Sequence, residues 1–401
     1  MADGPKLTGL GKLFIFAFIV LCAGGAYYFF TNKTPWGSGG KNNNSSGGIL
    51  DSLSGGGDQV ELGIAYGTEK QRWLEWAVQE FEKTRDGKRI KVNLIPMGSL
   101  EGAHALLNGD KRIQVWSPAS ALYKDIFVQE WQVKYSQNPI LKEEPIALSP
   151  MVFVVWDERY QAFQQKYKNF TFATVGQALQ EKGGWDAIAQ KPEWGLFKFG
   201  HTHPNESNSG LMTIVLAAYS YQKKTKDLQL KDVVDVGFQN WLQGFERGVS
   251  GLSNSTGNMM REMVLKGPSS YDALFVYESV AIDYLKNAEG RWGQIRVVYP
   301  EYNAWNENPY YIIDAPWSSK DQRKAAEQFL SFLLSEPIQK ESLVHGFRPA
   351  NPSVAIKFPD SPFVKYADYG VKVDLAKICD PPSAEVANNL LQSWQRSQAN
   401  R

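Results

Sequence analysis

From Val60 to Ile126 short apolar runs alternate with amphipathic ones, and this alternation restricts the fold more than any other feature. Val60 to Tyr66 predicts a buried strand, turned by Gly67-Thr68-Glu69-Lys70. Trp73 to Glu82 carries apolar residues at helical spacing (Trp73, Trp76, Ala77, Phe81). Arg89 to Pro96 is a second strand and Leu100 to Leu107 a second helix. Ile113 to Trp116 is a third strand, and Ser117-Pro118-Ala119-Ser120 leads into a helix with Leu122 and Ile126. Strands alternating with helices predict a parallel sheet wound with helices. In such sheets ligands bind where the turns gather, at the C-terminal ends of the strands.

The turns themselves are polar. Thr68 follows the first strand, and Ser117 and Ser120 follow the third, with Pro118 suited to a first helical turn. The stretch Gly200 to Gly210 (Gly-His-Thr-His-Pro-Asn-Glu-Ser-Asn-Ser-Gly) sits between a strand predicted over Trp194 to Phe199 and an apolar helix predicted over Leu211 to Tyr221. A strand that ends in such a turn leaves several N–H groups unpaired at the helix start, where the helix dipole is positive. Ser207, Asn208 and Ser209 suit an ordinary N-cap. They can also hold a small anionic or polar ligand, although for one such turn alone the cap is the simpler explanation. The recurrence of this chemistry at Thr68, at Ser117 to Ser120 and at Ser207 to Ser209 favours a shared ligand site.

A second alternating region begins with the apolar run Pro150 to Trp156. Helices are predicted over Phe172 to Gln180, Trp185 to Gln190, Asp235 to Arg247, Met259 to Leu265, Val280 to Lys286, Gln322 to Leu334 and Ile338 to Val344. Strands are predicted over Tyr271 to Val276, Ile295 to Tyr299 and Pro309 to Ala315. Residues 356–383, rich in Pro and Asp, predict irregular chain. Ala384 to Gln395 predicts a final helix with Val386, Leu390, Leu391 and Trp394 on one face.

A formal net charge of +1 and the lack of any Lys/Arg-rich run speak against a nucleic-acid partner. Cys22 lies in an apolar N-terminal segment and Cys379 near the other end, so no disulfide is expected between them and neither joins a metal-ligand cluster. Leu13 to Phe30 carries no charge and follows Lys6 and Lys12. This predicts residues 1–12 in the cytoplasm, a transmembrane anchor over 13–30, and an extracytoplasmic body in the periplasm or at the cell surface. A cleaved signal peptide with Ala23 to Ala26 at the cleavage region is a rival. A lipoprotein signal through Cys22 is another, although bulky Leu21 precedes that cysteine. The Gly/Ser/Asn-rich residues 31–58 predict a flexible linker reaching roughly 25–30 Å.

Five stretches carry a family resemblance: Pro145 to Val155, the turn at 204–210, Tyr271 to Ser279, Pro309 to Ile313, and Ala325 to Ser335 leading to Gly346-Phe347-Arg348-Pro349. Their order and spacing over about 59–355 resemble bacterial extracellular solute-binding proteins of the type II periplasmic-binding-protein kind, nearest the molybdate- and sulfate-type group. The resemblance implies an α/β, two-lobed fold, each lobe a sheet flanked by helices, preceded here by the transmembrane helix. Lobe one would hold 59–148 plus 301–355, lobe two 149–300, and 356–401 would be an extension. The chain would cross between lobes near Pro150 and near Asn308. The ligand would lie between the lobes, against Thr68, Ser117, Ser120, Ser207, Asn208, Ser209 and Tyr277. No cofactor or metal is implied. A transporter permease is an implied partner. A von Willebrand-type A module is another, because Leu390 to Trp394 resembles the segment before that module in some relatives. His201, His203 and the aromatic content depart from the family and put a tetrahedral oxyanion in question.

Three functions follow. The chain is a tethered receptor that captures a small ligand for transport or sensing, or an envelope scaffold built on the same fold. An enzyme would need His201, His203, Glu206 and Asp272 as a metal or acid–base site. Two histidines at spacing two give only a zinc half-site. No nucleophile motif or phosphate-binding glycine fingerprint accompanies them, so no enzyme is expected. Arg348 reads as a structural ion-pair partner.

Overall fold

The computed structural model describes residues 59–288, 291–375 and 377–399. The anchor predicted over 13–30 and the linker predicted over 31–58 lie outside them. Among the described residues no helix is long and apolar enough to cross a membrane.

The strands, in chain order, are β1 (Val60–Tyr66), β2 (Ile90–Pro96), β3 (Val115–Ser117), β4 (Ile140–Pro145), β5 (Ala147–Leu148), β6 (Met151–Trp156), β7 (Phe199–Thr202), β8 (Gly251–Ser253), β9 (Ala273–Tyr277), β10 (Ile295–Val298), β11 (Tyr302–Asn303), β12 (Pro309–Ile313), β13 (Arg348–Pro349) and β14 (Lys377–Ile378). They build two five-stranded sheets, ordered β2-β1-β3-β12-β4 and β10-β6-β9-β7-β8. In the first, β1 pairs parallel with β2 and β3, while β12 runs antiparallel between β3 and β4. In the second, β7, β8 and β9 are parallel and β6 antiparallel between β9 and β10. The parallel strands β1, β3, β7, β8 and β9 each lead into a helical turn, as alternating patterns require.

Burial explains the elements. Every residue of β6 is buried, so its sequence reads as an unbroken apolar run. The helix Gln71–Glu82 turns Trp73, Leu74, Ala77, Val78 and Phe81 to the first sheet. Phe81 meets Phe329 of the helix Lys320–Leu333 edge-on at 5.0 Å. The apolar helix in the second half spans Asn208–Gln222 and is buried over its first three turns.

Between the sheets the chain passes twice. The two passes lie side by side: Ser149 and Asn306 exchange backbone hydrogen bonds of 3.0 Å each way, and the Ile146 amide donates to the Asn308 carbonyl at 3.2 Å. Asn308 has a left-handed φ of 44°, a conformation that asparagine tolerates better than most residues. The segment after 355 is more ordered than its composition suggests. It includes a short helix at Pro362–Lys365, and β14 pairs parallel with β11. The Arg348 guanidinium binds the Glu278 carboxylate at 2.7 and 2.8 Å and donates to the Lys372 and Val373 carbonyls. Arg348 thus ties residues 372 and 373 to the start of the helix Glu278–Ala288. The final helix, Ala384–Ala399, lies on the helix Val236–Gly248 and buries Trp394.

Two predicted elements shift. No strand runs from Trp194 to Phe199. Pro192–Trp194 is a 3-10 turn, closed by Gly195 at φ 71°, with the Trp194 ring under the Arg159 guanidinium at 3.3 Å. The strand follows at Phe199–Thr202 and takes His201 into the sheet. The helix expected straight after Pro118 starts at Ala121 as a 3-10 turn, with Ser120 as its cap.

Candidate functional site

The C-terminal ends of the strands of both sheets face one another across the double crossing, and the polar turns meet there. Asn208, at the start of its helix, is 1% exposed and ties three elements together. Its Oδ1 accepts from Ser120 Oγ at 2.7 Å, across the gap between the lobes. Its Nδ2 donates to the Tyr277 hydroxyl and to Asn306 Oδ1, both at 3.0 Å. Ser207 stands in the N-cap position, yet its side chain makes no cap hydrogen bond and pairs with Ser209 Oγ at 3.2 Å. The Ser209 hydroxyl is shared further with Thr202 at 2.5 Å and with Thr256 at 2.6 Å. Thr68 meets Ser255, which follows β8 of the second sheet, hydroxyl to hydroxyl, at 3.1 Å.

Ser117 differs from the others. It is fully buried at the end of β3, its carbonyl accepts from the Gly67 amide at 3.1 Å, and its hydroxyl has no hydrogen-bond partner among the described residues. An unmet buried hydroxyl costs about 1–3 kcal/mol. The Ser117 hydroxyl is one of eight buried side-chain polar atoms in this condition among the described residues, Trp73 Nε1, Trp131 Nε1 and the Tyr311 hydroxyl among the others.

Of the seven residues expected at a ligand, six take part in the hydrogen bonds among these turns. These are Thr68, Ser120, Ser207, Asn208, Ser209 and Tyr277, and Ser117 is the unpaired member. Four further residues were not anticipated. Asn306 and Asn308 come from the second crossing. Lys70 is fully buried, and its ammonium donates to Glu69 at 2.5 Å, to Asn308 Oδ1 at 3.0 Å and to the Pro118 carbonyl at 3.2 Å. The Glu69 carboxylate lies over Gly67, where a Cβ would come within 2.3 Å of Oε1 and push the carboxylate aside. Burial pulls the Lys70 ammonium below its usual range, with Glu69 opposing the shift. Burial first, then the charge of Glu69, raises Tyr277 well above an ordinary tyrosine, so its hydroxyl is a neutral donor. Asparagines after a Trp and a charged pair inside a turn carry no periodic signal, which is why the sequence alone did not single them out.

Other lobe-to-lobe contacts surround this face. Arg72 pairs with Asp283 at 2.8 Å, and the Tyr123 hydroxyl donates to the Pro204 carbonyl at 3.3 Å. A Cβ on Gly98 would meet the Glu206 carbonyl at 2.4 Å, so the backbones touch there.

The histidines do not form a zinc half-site. His201 is buried between the Thr202 carbonyl (2.8 Å) and Glu246 (3.1 Å). His203 lies beyond the strand, its ring edge-on to Trp394 at 4.6 Å. Asp272 is held by Arg159, the Trp185 indole and the Lys198 amide. Among the described residues no three His, Cys, Asp or Glu gather as metal ligands.

Two α/β lobes joined by a double crossing, with polar helix starts gathered in the gap, define a ligand-capturing receptor of the two-lobed kind. The chain belongs to the bacterial extracellular solute-binding proteins, whose family model matches residues 62–348. A thiosulfate-binding protein of Pseudomonas aeruginosa is 34% identical over 306 residues, 75% of this chain and 81% of that protein. The sulfate-binding protein SubI of Mycobacterium tuberculosis has a similar structure, with a TM-score of 0.54 at 15% identity, covering 86% of this chain and 99% of SubI. The fructose-6-phosphate-bound binding protein AfuA of Actinobacillus pleuropneumoniae gives a TM-score of 0.58 at 13% identity, covering 84% and 98%.

Proposed function

We propose that the chain captures a small oxyanion between its lobes, in the extracytoplasmic space, and delivers it to a membrane permease. The observation that carries this reading is the meeting of hydroxyl- and amide-bearing turns from both sheets, Thr68 with Ser255 and Ser120 with Asn208, near the buried, unpaired hydroxyl of Ser117 at the end of β3. Uncharged donors at helix N-termini hold anions without a free cation. Two of the relatives above are named for oxyanions, thiosulfate and sulfate, which supports this ligand class. The same reading takes 59–148 with 301–355 as lobe one, 149–300 as lobe two, and the paired Ser149 and Asn306 as the hinge about which the lobes close. Residues 13–30 and 31–58 would tether this body to the membrane.

Thermal denaturation with sulfate, thiosulfate, molybdate, phosphate, sugars and amino acids tests the proposal. An oxyanion at a hundred times its Kd stabilises the folded chain by about 2.7 kcal/mol. A shift with one or more oxyanions, and none with sugars or amino acids, is expected. No shift with any of them at millimolar concentration would favour the envelope-scaffold reading instead.

A further inference from the structure

The second crossing has two sides. Asn306 sits in an antiparallel bridge with Ser149 and bonds through its side chain to Asn208 at the interlobe face. Successive side chains of an extended chain point to opposite sides, so Trp305 and Glu307 turn away from that face. Both line a cavity of about 460 Å³. Leu122, which follows β3, and Met212, one turn into the helix Asn208–Gln222, form further walls, and Cys379 closes it from the C-terminal extension. Of the residues expected at the anion, only Ser120 also reaches this cavity.

The walls are largely apolar, and one carboxylate stands among them. Glu307 is half-buried. It accepts from the Ala121 amide at 3.3 Å and enters no ion pair among the described residues. Lys124, the cation in the same wall, is held by Glu143 at 2.9 Å. Burial pushes the Glu307 carboxyl above its ordinary value, as it does for a carboxylate short of a counter-ion. An anion in this cavity would meet like charge. A neutral molecule would cover the carboxylate without compensating it. A ligand that is apolar at one end and cationic at the other satisfies both parts of the lining, and its ammonium would form a charge-assisted hydrogen bond. We propose that this cavity is a second ligand site and takes a small amphipathic amine, with the ammonium on Glu307 and the hydrocarbon body against Trp305, Met212 and Leu122. Its volume falls in the roughly 300–1,000 Å³ range of small-molecule sites. The bound amine touches turns of both sheets, the crossing and the extension at once. This site is separate from the oxyanion reading and does not depend on what the interlobe face holds.

Calorimetric titration of the whole chain with phenethylamine, phenethyl alcohol and phenylacetate varies the charge at one end of a constant apolar body. At neutral pH the amine should bind with a Kd below about 1 mM, at least about tenfold more tightly than the alcohol, and phenylacetate should not bind. Glu307→Gln keeps an acceptor for the Ala121 amide and should weaken amine binding by at least about tenfold. Crystals of the unmodified chain soaked with para-bromophenethylamine locate the ligand by the anomalous signal of bromine, so a folding defect in the variant does not stop the test. The peak should lie in the cavity beside Trp305. Failure of the unmodified chain to bind the amine would overturn the proposal. So would equal affinity for amine and alcohol, an amine affinity unmoved by Glu307→Gln, or a bromine peak elsewhere. None of these results bears on oxyanion binding.

Discussion

Replacing Ser117 by alanine separates a ligand-binding hydroxyl from a structural one. The serine is fully buried and its hydroxyl makes no hydrogen bond among the described residues. Removing it therefore deletes no internal bond and relieves an unmet polar group, a gain of up to about 1–3 kcal/mol. The unliganded variant should be as stable as the unmodified chain or more so. In the complex the same hydroxyl would donate to an anion, and a hydrogen bond to a charged group contributes roughly 1.5–3 kcal/mol. Affinity should then drop by about ten- to a hundredfold. Thermal denaturation without ligand and calorimetric titration with the oxyanion that stabilises the unmodified chain read the two effects separately. The reasoning is refuted if the free variant loses several degrees of melting temperature, or if affinity stays within twofold.

Two further outcomes concern the C-terminal extension. Trp394 is buried and donates from its indole to Glu246 at 2.7 Å, so Trp394→Ala should cost roughly 3–5 kcal/mol by chemical denaturation, more than any exposed substitution on the same helix. Burial pushes the Cys379 thiol up to about 12, so in a Cys22→Ser background the native chain should react slowly with a thiol reagent at pH 8 and fully once unfolded. Rapid native labelling would show that the segment around Cys379 leaves its seat beside Asn303.

The alternation of strand and helix was legible because both sheets bury both faces, which gives long apolar runs such as Met151 to Trp156. Strand β4 was not, because Ile140–Pro145 is a mostly exposed edge strand with Lys142, Glu143 and Glu144 along it, and charged edges carry no apolar period. Nor does order along the chain reveal that β12 inserts between β3 and β4. At the site, the hydroxyl-bearing turns could be read by residue type. Which of them would pair with each other, leaving Ser117 alone, is set by tertiary contacts such as Ser120 with Asn208, 88 positions apart. His201 and His203, open in the sequence as a zinc half-site only, part because the strand Phe199–Thr202 takes His201 inward onto Glu246 while His203 lies beyond its end.

Anomalous diffraction from crystals of the chain grown with arsenate or selenate measures the position of the anion directly. A peak within hydrogen-bonding distance of Ser117 Oγ, at the Ser207–Ser209 helix start, is the predicted result. A peak elsewhere, for instance in the cavity of about 460 Å³ lined by Trp305, Met212 and Cys379, would contradict the account.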